Sequence, residues 1–400
     1  MVINENIETK VAEKCDVLVC GGGIAGVAAA LSAARMNKTV ILCEREFLLG
    51  GLATAGLVAL YLPLCDGMGR QVSFGIAEEL LKLSISQKVY RTRGYNDWIA
   101  NPKAEKNGKT PRYEVDFNPN LFAVAMEQLL IENGVKILYG TVAVKAYEEG
   151  GAITSVIFEN KTGRFAVAPK GVVDATGDCD IAKHLPVQCK LHPDKNPLAG
   201  WYYFYSNNRV GLNPLGVCDI SDEEAKKGNA AVPLSKRRFS GVDGEELSLM
   251  TQLSHRSVLN DYRKRLAEFP DYDLVNIASI PQIRMTRKLA GEYELDEADS
   301  HKEFQDSVGL ISDWRKRGPV FEVPFRTLFS KKIRNLAVAG RCISVTDKMW
   351  DITRVIPCCA VTGQAAGAAV ALSPDLTATD TEALQHALKQ SGVRLHEKEL

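Results

Sequence analysis

Val17-Leu18-Val19-Cys20-Gly21-Gly22-Gly23-Ile24-Ala25-Gly26 is the stretch that decides the fold. Its first four residues form a continuous apolar run that stops at a glycine cluster, the pattern of a short buried strand. Gly21, Gly23 and Gly26 then give the spacing G-x-G-x-x-G, and Val27 to Met36 reads as a helix of small residues. Thr39 to Cys43 is a second buried strand, ending at Glu44. Strand, helix and strand this close together form a βαβ unit, whose crossover is right-handed. In such a turn the first glycine permits the tight bend and the second lets a pyrophosphate approach the backbone. The third allows close strand–helix packing, while Ile24 and Ala25 lie at the positive helix end. Glu44, 18 residues beyond Gly26, is placed to accept hydrogen bonds from a ribose and to repel a 2′-phosphate; Arg45 beside it softens that repulsion. The unit is therefore expected to bind a dinucleotide.

Outward from this unit, Glu114 to Gly134 reads as a helix entered through Asn118-Pro119, with Leu121, Val124, Ala125, Leu129 and Leu130 as its apolar stripe. Val135–Tyr139, Val142–Tyr147, Ile153–Phe158 and Phe165–Val167 then read as a β-meander punctuated by Gly150-Gly151 and Gly163. Gly171 to Asp174 reads as a further buried strand. From 186 to 328 the texture changes, with prolines, the aromatic run Trp201 to Tyr205 and a charged helix from Glu245 to Phe269. Asn335 to Ala339 returns to the buried-strand pattern, and Val361 to Leu372 is a Gly/Ala-rich apolar helix. The expected fold class is α/β. A discontinuous Rossmann-like domain is assembled from residues 1–185 and 329–400, with an inserted α+β cap at 186–328.

Four segments carry a resemblance that selects the dinucleotide. Gly50-Gly51-Leu52-Ala53-Thr54 resembles the second glycine pair of FAD proteins of the glutathione-reductase-like superfamily. Ala175-Thr176-Gly177-Asp178 is similar to their A-T-G segment, and Asn335 to Arg341 to the late strand that ends in a glycine near the ribityl chain. Val361 to Gly367 is similar to the helix start that follows. In this order, from about 15 to 373, the segments resemble the broad family called FAD-dependent oxidoreductase, its branch with one FAD domain and an inserted cap. The segments Ile283 to Arg287 and Gly340 to Ser344 also look like that family.

The resemblance implies non-covalent FAD. Its contacts would come from Gly21, Gly23, Ile24, Ala25, Gly26, Glu44, Arg45, Gly51, Leu52, Ala53, Thr54 and Val142. Further contacts would come from Ala175, Thr176, Gly177, Asp178, Gly340, Arg341, Gly363, Gln364 and Ala365. A helix beginning near Gly363 would aim its positive end at the flavin and favour its anionic reduced form.

No second strand–G-x-G-x-x-G–helix unit follows residue 60, and no C-x-x-C or C-x-x-x-x-C pair stands beside the Gly50 segment. A dedicated nicotinamide domain and a disulfide-reductase mechanism are thus not expected. The expected chemistry is hydride transfer between flavin N5 and a small polar molecule held by the cap, in the direction of C–H or alcohol oxidation, on a glycoside-like compound among others. Reduction of an activated alkene and electron carriage to a partner protein are the alternatives. A base for the partner proton and a cation for a polar substrate group are sought among His192, Arg284, Asp347 and Arg354. Trp350 reads equally as a ring cover or as core. Cys358-Cys359 read as buried thiols, and no Cys/His cluster has metal-site spacing.

The 400 residues carry 49 basic and 49 acidic side chains, a balance that speaks against a nucleic-acid-binding surface as the main business. No leader-like apolar segment opens the sequence and no apolar run reaches bilayer length, so a cytoplasmic location without a membrane span is expected. Ten cysteines fit reduced thiols rather than a disulfide scaffold. The electron acceptor and homo-oligomerisation are left open.

Overall fold

The computed structural model describes residues 1–86, 114–216, 226–228 and 232–400. Its main sheet has seven strands: β1 Val11–Cys20, β2 Val40–Cys43, β3 Lys136–Leu138, β4 Val142–Glu149, β5 Ala152–Asn160, β6 Gly163–Asp174 and β7 Leu336–Val338. They lie in the order β3-β2-β1-β6-β5-β4, with β7 also on β6. β2, β1, β6 and β7 run parallel, as the βαβ reading requires, and their central residues are buried.

β6 explains how a meander and a parallel sheet coexist. Its first half pairs antiparallel with β5, Val167 opposite Val156, and its second half pairs parallel with β7, Val172 opposite Leu336. β1 runs beside it from Val11 to Cys20, so the two strands expected at Phe165 and Gly171 are one. Val135–Tyr139 does not join the meander: Lys136–Leu138 pairs parallel with β2 at the opposite edge.

Among the described residues the α-helices are α1 Ile24–Arg35, α2 Ile76–Ser84, α3 Pro119–Glu132, α4 Gly244–Glu268, α5 Asp347–Thr353, α6 Ile356–Leu372 and α7 Thr381–Gln390. Asn118 caps α3, accepting from the N–H groups of Asn120 and Leu121 at 2.9 and 3.2 Å, and Pro119 stands where no donor is needed. Its buried face is Phe122, Ala123, Met126 and Leu130, whereas Leu121 and Val124 are exposed; the expected stripe is rotated by one residue. Phe122 wins the inward position because it packs edge-on to Phe117, 4.9 Å between ring centres.

α6 begins at Ile356, seven residues before Gly363, and is buried along almost its whole length. It crosses α1 closely. A Cβ on Gly363 would meet the Ala25 carbonyl oxygen at 2.2 Å, and one on Gly367 the Ala29 carbonyl oxygen at 2.2 Å. The small residues of both helices exist for that approach, which buries two backbones against each other. Among the described residues no single helix is long and apolar enough to cross a membrane; α5 and α6 pass together, but meet at a bend of 92°.

The strands Ala199–Ser206, Arg209–Gly216 and Asp273–Ile277 form a separate antiparallel sheet covered by α4. Trp201 and Tyr202 of the aromatic run are buried, and the Tyr202 hydroxyl bonds Asp261 at 2.6 Å and Tyr272 at 2.8 Å, so this run is largely packing. From Leu289 to Phe329 the chain packs into the main hydrophobic core, through Phe304, Val308, Ile311, Phe321 and Val323 among others. By packing, the cap ends nearer 286 than the 328 suggested by sequence texture.

Candidate cofactor and substrate site

The glycine turn leaves β1 at Gly21, whose φ of +99° is open to glycine. A Cβ there would meet the Ala175 carbonyl oxygen at 2.6 Å, and a Cβ on Gly26 would meet the Gly21 oxygen at 1.8 Å. Gly23 differs: nothing lies within 4 Å of its Cβ position, although it caps α1 with φ −65° and ψ 178°. Only two of the three glycines are therefore required by the fold itself. The third faces an open cradle at the N-terminus of a helix that no side chain caps. Unpaired N–H groups around an unfilled space are what a pyrophosphate needs.

Gly51-Leu52-Ala53 forms a single 3₁₀ turn that closes this cradle. Gly50 N–H donates to the Gly22 carbonyl at 2.8 Å, and a Cβ on Gly51 would stand 3.3 Å from Gly23 Cα. Thr54 is buried and its hydroxyl donates to the Leu49 carbonyl, so its side chain holds the turn. Glu44 is buried as well. One carboxylate oxygen accepts from Gly22 N–H and the other from Glu46 N–H, the latter at 2.8 Å. Burial pushes its pKa up against the pull of those two bonds. Glu44 thus fastens the glycine turn first, and the remaining lone pairs are what a ribose would use. Arg45 projects outward beside Glu46, 3.5 Å away. Val142 is exposed, following Thr141, whose N–H donates to the Glu44 carbonyl at 2.9 Å.

Ala175 N–H continues the sheet by donating to the Cys20 carbonyl at 2.9 Å. Asp174 is fully buried and accepts four bonds, from Thr176 N–H and Oγ1 and from the N–H groups of Ile181 and Ala182. That pins the A-T-G segment. Asp178 and Arg341 pair at 3.2 Å; Thr286 donates to Asp178 at 2.6 Å and Arg341 donates to the Ile283 carbonyl. Their side chains bolt segment 283–286 onto the sheet. A Cβ on Gly177 would meet the Arg341 guanidinium, which fills the space above that turn.

Gly363, Gln364 and Ala365 lie inside α6, not at its start. Gly363 is the contact with α1, Ala365 is buried, and Gln364 accepts from Ile76 N–H at 2.9 Å, holding the first turn of α2. The uncapped positive end of α6 falls instead at Val355–Cys358. The expected helix start is displaced because Ile356-Pro357 has the proline near N1, a position where its missing N–H costs nothing.

Of the four candidates for chemistry, the fold unites two. Lys288, whose side chain is 3% exposed, donates to Asp347 at 2.7 Å and lies 4.8 Å over the Trp350 ring. The His192 ring stands edge-on to the same indole, 5.6 Å between ring centres, and its backbone N–H donates to the Thr286 carbonyl at 2.8 Å. Trp350 is fully buried and donates its indole N–H to the Arg341 carbonyl at 2.8 Å, beside Gly340. His192 Nδ1 is buried and has no hydrogen-bond partner among the described residues. Burial lowers the His192 pKa, which favours the neutral ring, and Asp347 opposes that in part.

Arg284 is buried in the cap with its guanidinium 5.8 Å over Trp201, and Arg287 forms an ion pair with Asp180 at 2.9 Å. Arg354 terminates α5, bound to Asp351 at 2.6 and 3.0 Å, and its backbone N–H donates to the Trp350 carbonyl at 3.1 Å. Lys288 is not among the residues the sequence singles out. It follows Arg287 in a basic run, and nothing local distinguishes a buried lysine from a solvated one. Two surface clefts among the described residues, beside Asp243–Gln252 and beside Gly392–Glu399, share no residue with these groups.

A Rossmann-type parallel sheet with an open glycine cradle at a helix N-terminus is the architecture of a dinucleotide-binding protein. The chain belongs to the FAD dependent oxidoreductase family, whose model matches residues 16–197 and 212–388. Its cofactor is accordingly FAD, and the clearance around a Cβ at Gly23 and the uncapped α1 terminus fit that group. No curated protein matches the sequence.

Among solved structures, p-nitrophenol 4-monooxygenase from Pseudomonas putida is similar at 12% identity, covering 96% of this chain and 82% of that one, with a TM-score of 0.47. L-amino acid deaminase from Proteus vulgaris has 12% identity, 96% and 99% coverage and a TM-score of 0.45. THI4 from Thermovibrio ammonificans has 20% identity but covers 46% of this chain and 67% of that one, TM-score 0.31. Likeness at this level carries no argument about substrate or reaction.

Proposed function

We propose that this oxidoreductase removes hydride from an alcohol-type C–H of a small polar substrate bound between the cap and the sheet, with His192 taking the hydroxyl proton. The observation that carries the reading is the buried His192 Nδ1, without a partner among the described residues, beside the Lys288–Asp347 pair and Trp350. FAD, held by Gly23, Gly51 and the uncapped end of α1, supplies a two-electron acceptor when bound.

The chain's own residues do the rest. Trp350, anchored through its indole N–H, fixes the edge against which His192 rests. Asp347 raises the proton affinity of His192 and Lys288 lowers it, so the pair sets how readily the ring accepts a proton. Arg284, stacked on Trp201, offers a cation for a polar substrate group. The α6 terminus at Val355–Cys358 offers a positive end where negative charge would develop.

The test is anaerobic mixing of the FAD-loaded protein with a panel of alcohols, sugars and glycosides, read as flavin bleaching. Bleaching that is lost in His192→Asn with FAD retained supports the assignment. Full bleaching in that variant, or reoxidation of the chemically reduced protein by activated alkenes with no alcohol active, would sink it.

A further inference from the structure

Three buried side-chain atoms among the described residues have no hydrogen-bond partner: His192 Nδ1, Arg287 Nε and Gln282 Oε1. His192 belongs to the site above, and the Arg287 guanidinium is already paired with Asp180. Gln282 is 3% exposed, and its Nε2 donates to the Gly56 carbonyl at 2.7 Å. A carbonyl can only accept, so this bond fixes which end of the amide is the oxygen. Oε1 is therefore an acceptor held in one place with nothing to accept. Such a group destabilises the fold that buries it, which calls for a donor from outside the chain.

The bonds around Gln282 tie it to the elements that border the site. Gly56 N–H donates to the Gly51 carbonyl at 3.2 Å, so Gln282 is fastened to the turn that closes the cradle at Gly23. Ser279 N–H donates to the Ala55 carbonyl at 2.9 Å, and Arg341, next to Gly340, donates to the Ile283 carbonyl. From the cap, Asn196 Oδ1 accepts from Arg284 N–H at 2.9 Å and Met285 N–H at 3.0 Å. Leu57, beside Gly56, packs with Trp201, over which Arg284 lies. Segment 279–286 is thus clasped by the cofactor turn, the loop after β7 and the cap.

We propose that Gln282 Oε1 is a ligand-recognition acceptor, taking a hydrogen bond from a hydroxyl or ring N–H of the molecule seated between the Gly51 turn and the cap. FAD and the substrate both offer such donors. The substrate source rests on the function proposed above, whereas the cofactor source does not. In either case the acceptor is unsatisfied in the empty protein and satisfied in the loaded one, so Gln282 favours the loaded state. A substrate in this role carries a second donor besides the hydroxyl that is oxidised, as a polyol or sugar does and a simple alcohol does not.

The test compares the full chain with Gln282→Met, which has no acceptor, and Gln282→Glu. Burial keeps that carboxyl group protonated, so it retains a donor for Gly56 and a carbonyl acceptor. Without FAD, Gln282→Met should melt at or above the temperature of the unmodified protein, because the orphaned oxygen leaves together with the bond to Gly56. If the donor is on FAD, fluorescence titration should give a Kd for FAD raised about tenfold or more, restored by Gln282→Glu. If it is on the substrate, FAD affinity should be unchanged. Anaerobic flavin reduction should then prefer glycerol to propanol by about tenfold or more, a preference lost in Gln282→Met and restored in Gln282→Glu. Unchanged FAD affinity with an unchanged or absent glycerol preference overturns the proposal, and so does a Gln282→Met chain that melts early or does not fold. Failure of every alcohol to bleach the flavin sinks the dehydrogenase reading alone if the FAD titration still shows the loss and its rescue.

Discussion

The Gly363 Cα points at the backbone of α1, so closely that a methyl group there would stand 2.2 Å from the carbonyl oxygen of Ala25. Two helices far apart in sequence are thereby fixed against each other at the base of the glycine turn. Gly363→Ala must push α6 away from α1, at the cost of about 1–3 kcal/mol or more expected of overpacking. Urea unfolding monitored by circular dichroism should show a lower midpoint with little change in slope. An unchanged midpoint would mean that the helices yield freely.

Gly23 and Gly26 should separate binding from folding. Gly23→Val places its side chain in open space on extended backbone, so stability should change by no more than about 0.5 kcal/mol. FAD retention should be abolished, read from the visible spectrum after gel filtration. Gly26→Ala would drive a methyl group into the Gly21 oxygen and should yield no folded protein. Stoichiometric flavin in Gly23→Val would refute the cradle.

The buried carboxylate of Asp174 makes a third test. Asp174→Ala leaves three backbone N–H groups and the Thr176 hydroxyl without their acceptor, a loss of roughly 3 kcal/mol or more. Thermal unfolding without added FAD isolates this effect from cofactor binding.

His192 gives a pH dependence with a definite sign. Its folded-state pKa is lowered, so the unfolded chain binds the proton more tightly. The contribution to stability is complete above the ordinary histidine value of about 6.5 and is lost as pH falls from there through the folded value. Melting temperatures measured between about pH 5 and 8 should fall on the acid side, less steeply in His192→Asn. Asp347→Asn should lower the His192 pKa further, because Asp347 favours the charged ring; histidine NMR titration reads this directly.

Lys288→Met keeps the length of the side chain and removes its charge. Since Asp347 is half-exposed, the lost ion pair should cost no more than about 1 kcal/mol. FAD should stay bound, while substrate-driven flavin reduction slows and its pH profile shifts. Unchanged reduction kinetics would remove Lys288 from the site.

The sequence by itself determined the βαβ unit, the dinucleotide turn and the resemblance that selects FAD, because each segment that carries them is a local pattern and the segments need only stand in order. Apolar runs, glycine spacing and the acid after β2 each act on their immediate neighbours, so order along the chain is enough to read them. Only the tertiary structure decided which side chains are available for chemistry. Gly363 and Gln364 proved to be packing and capping groups of helices that the sequence does not pair. Arg354 is held at a helix end by Asp351, and Asp178 and Arg341 bind each other and the cap segment. Lys288, His192 and Asp347 meet around Trp350 across long separations in the chain, and Cys179 meets Cys342 across 163 residues. Burial and charge pairing arise from such encounters, and local pattern carries no record of them.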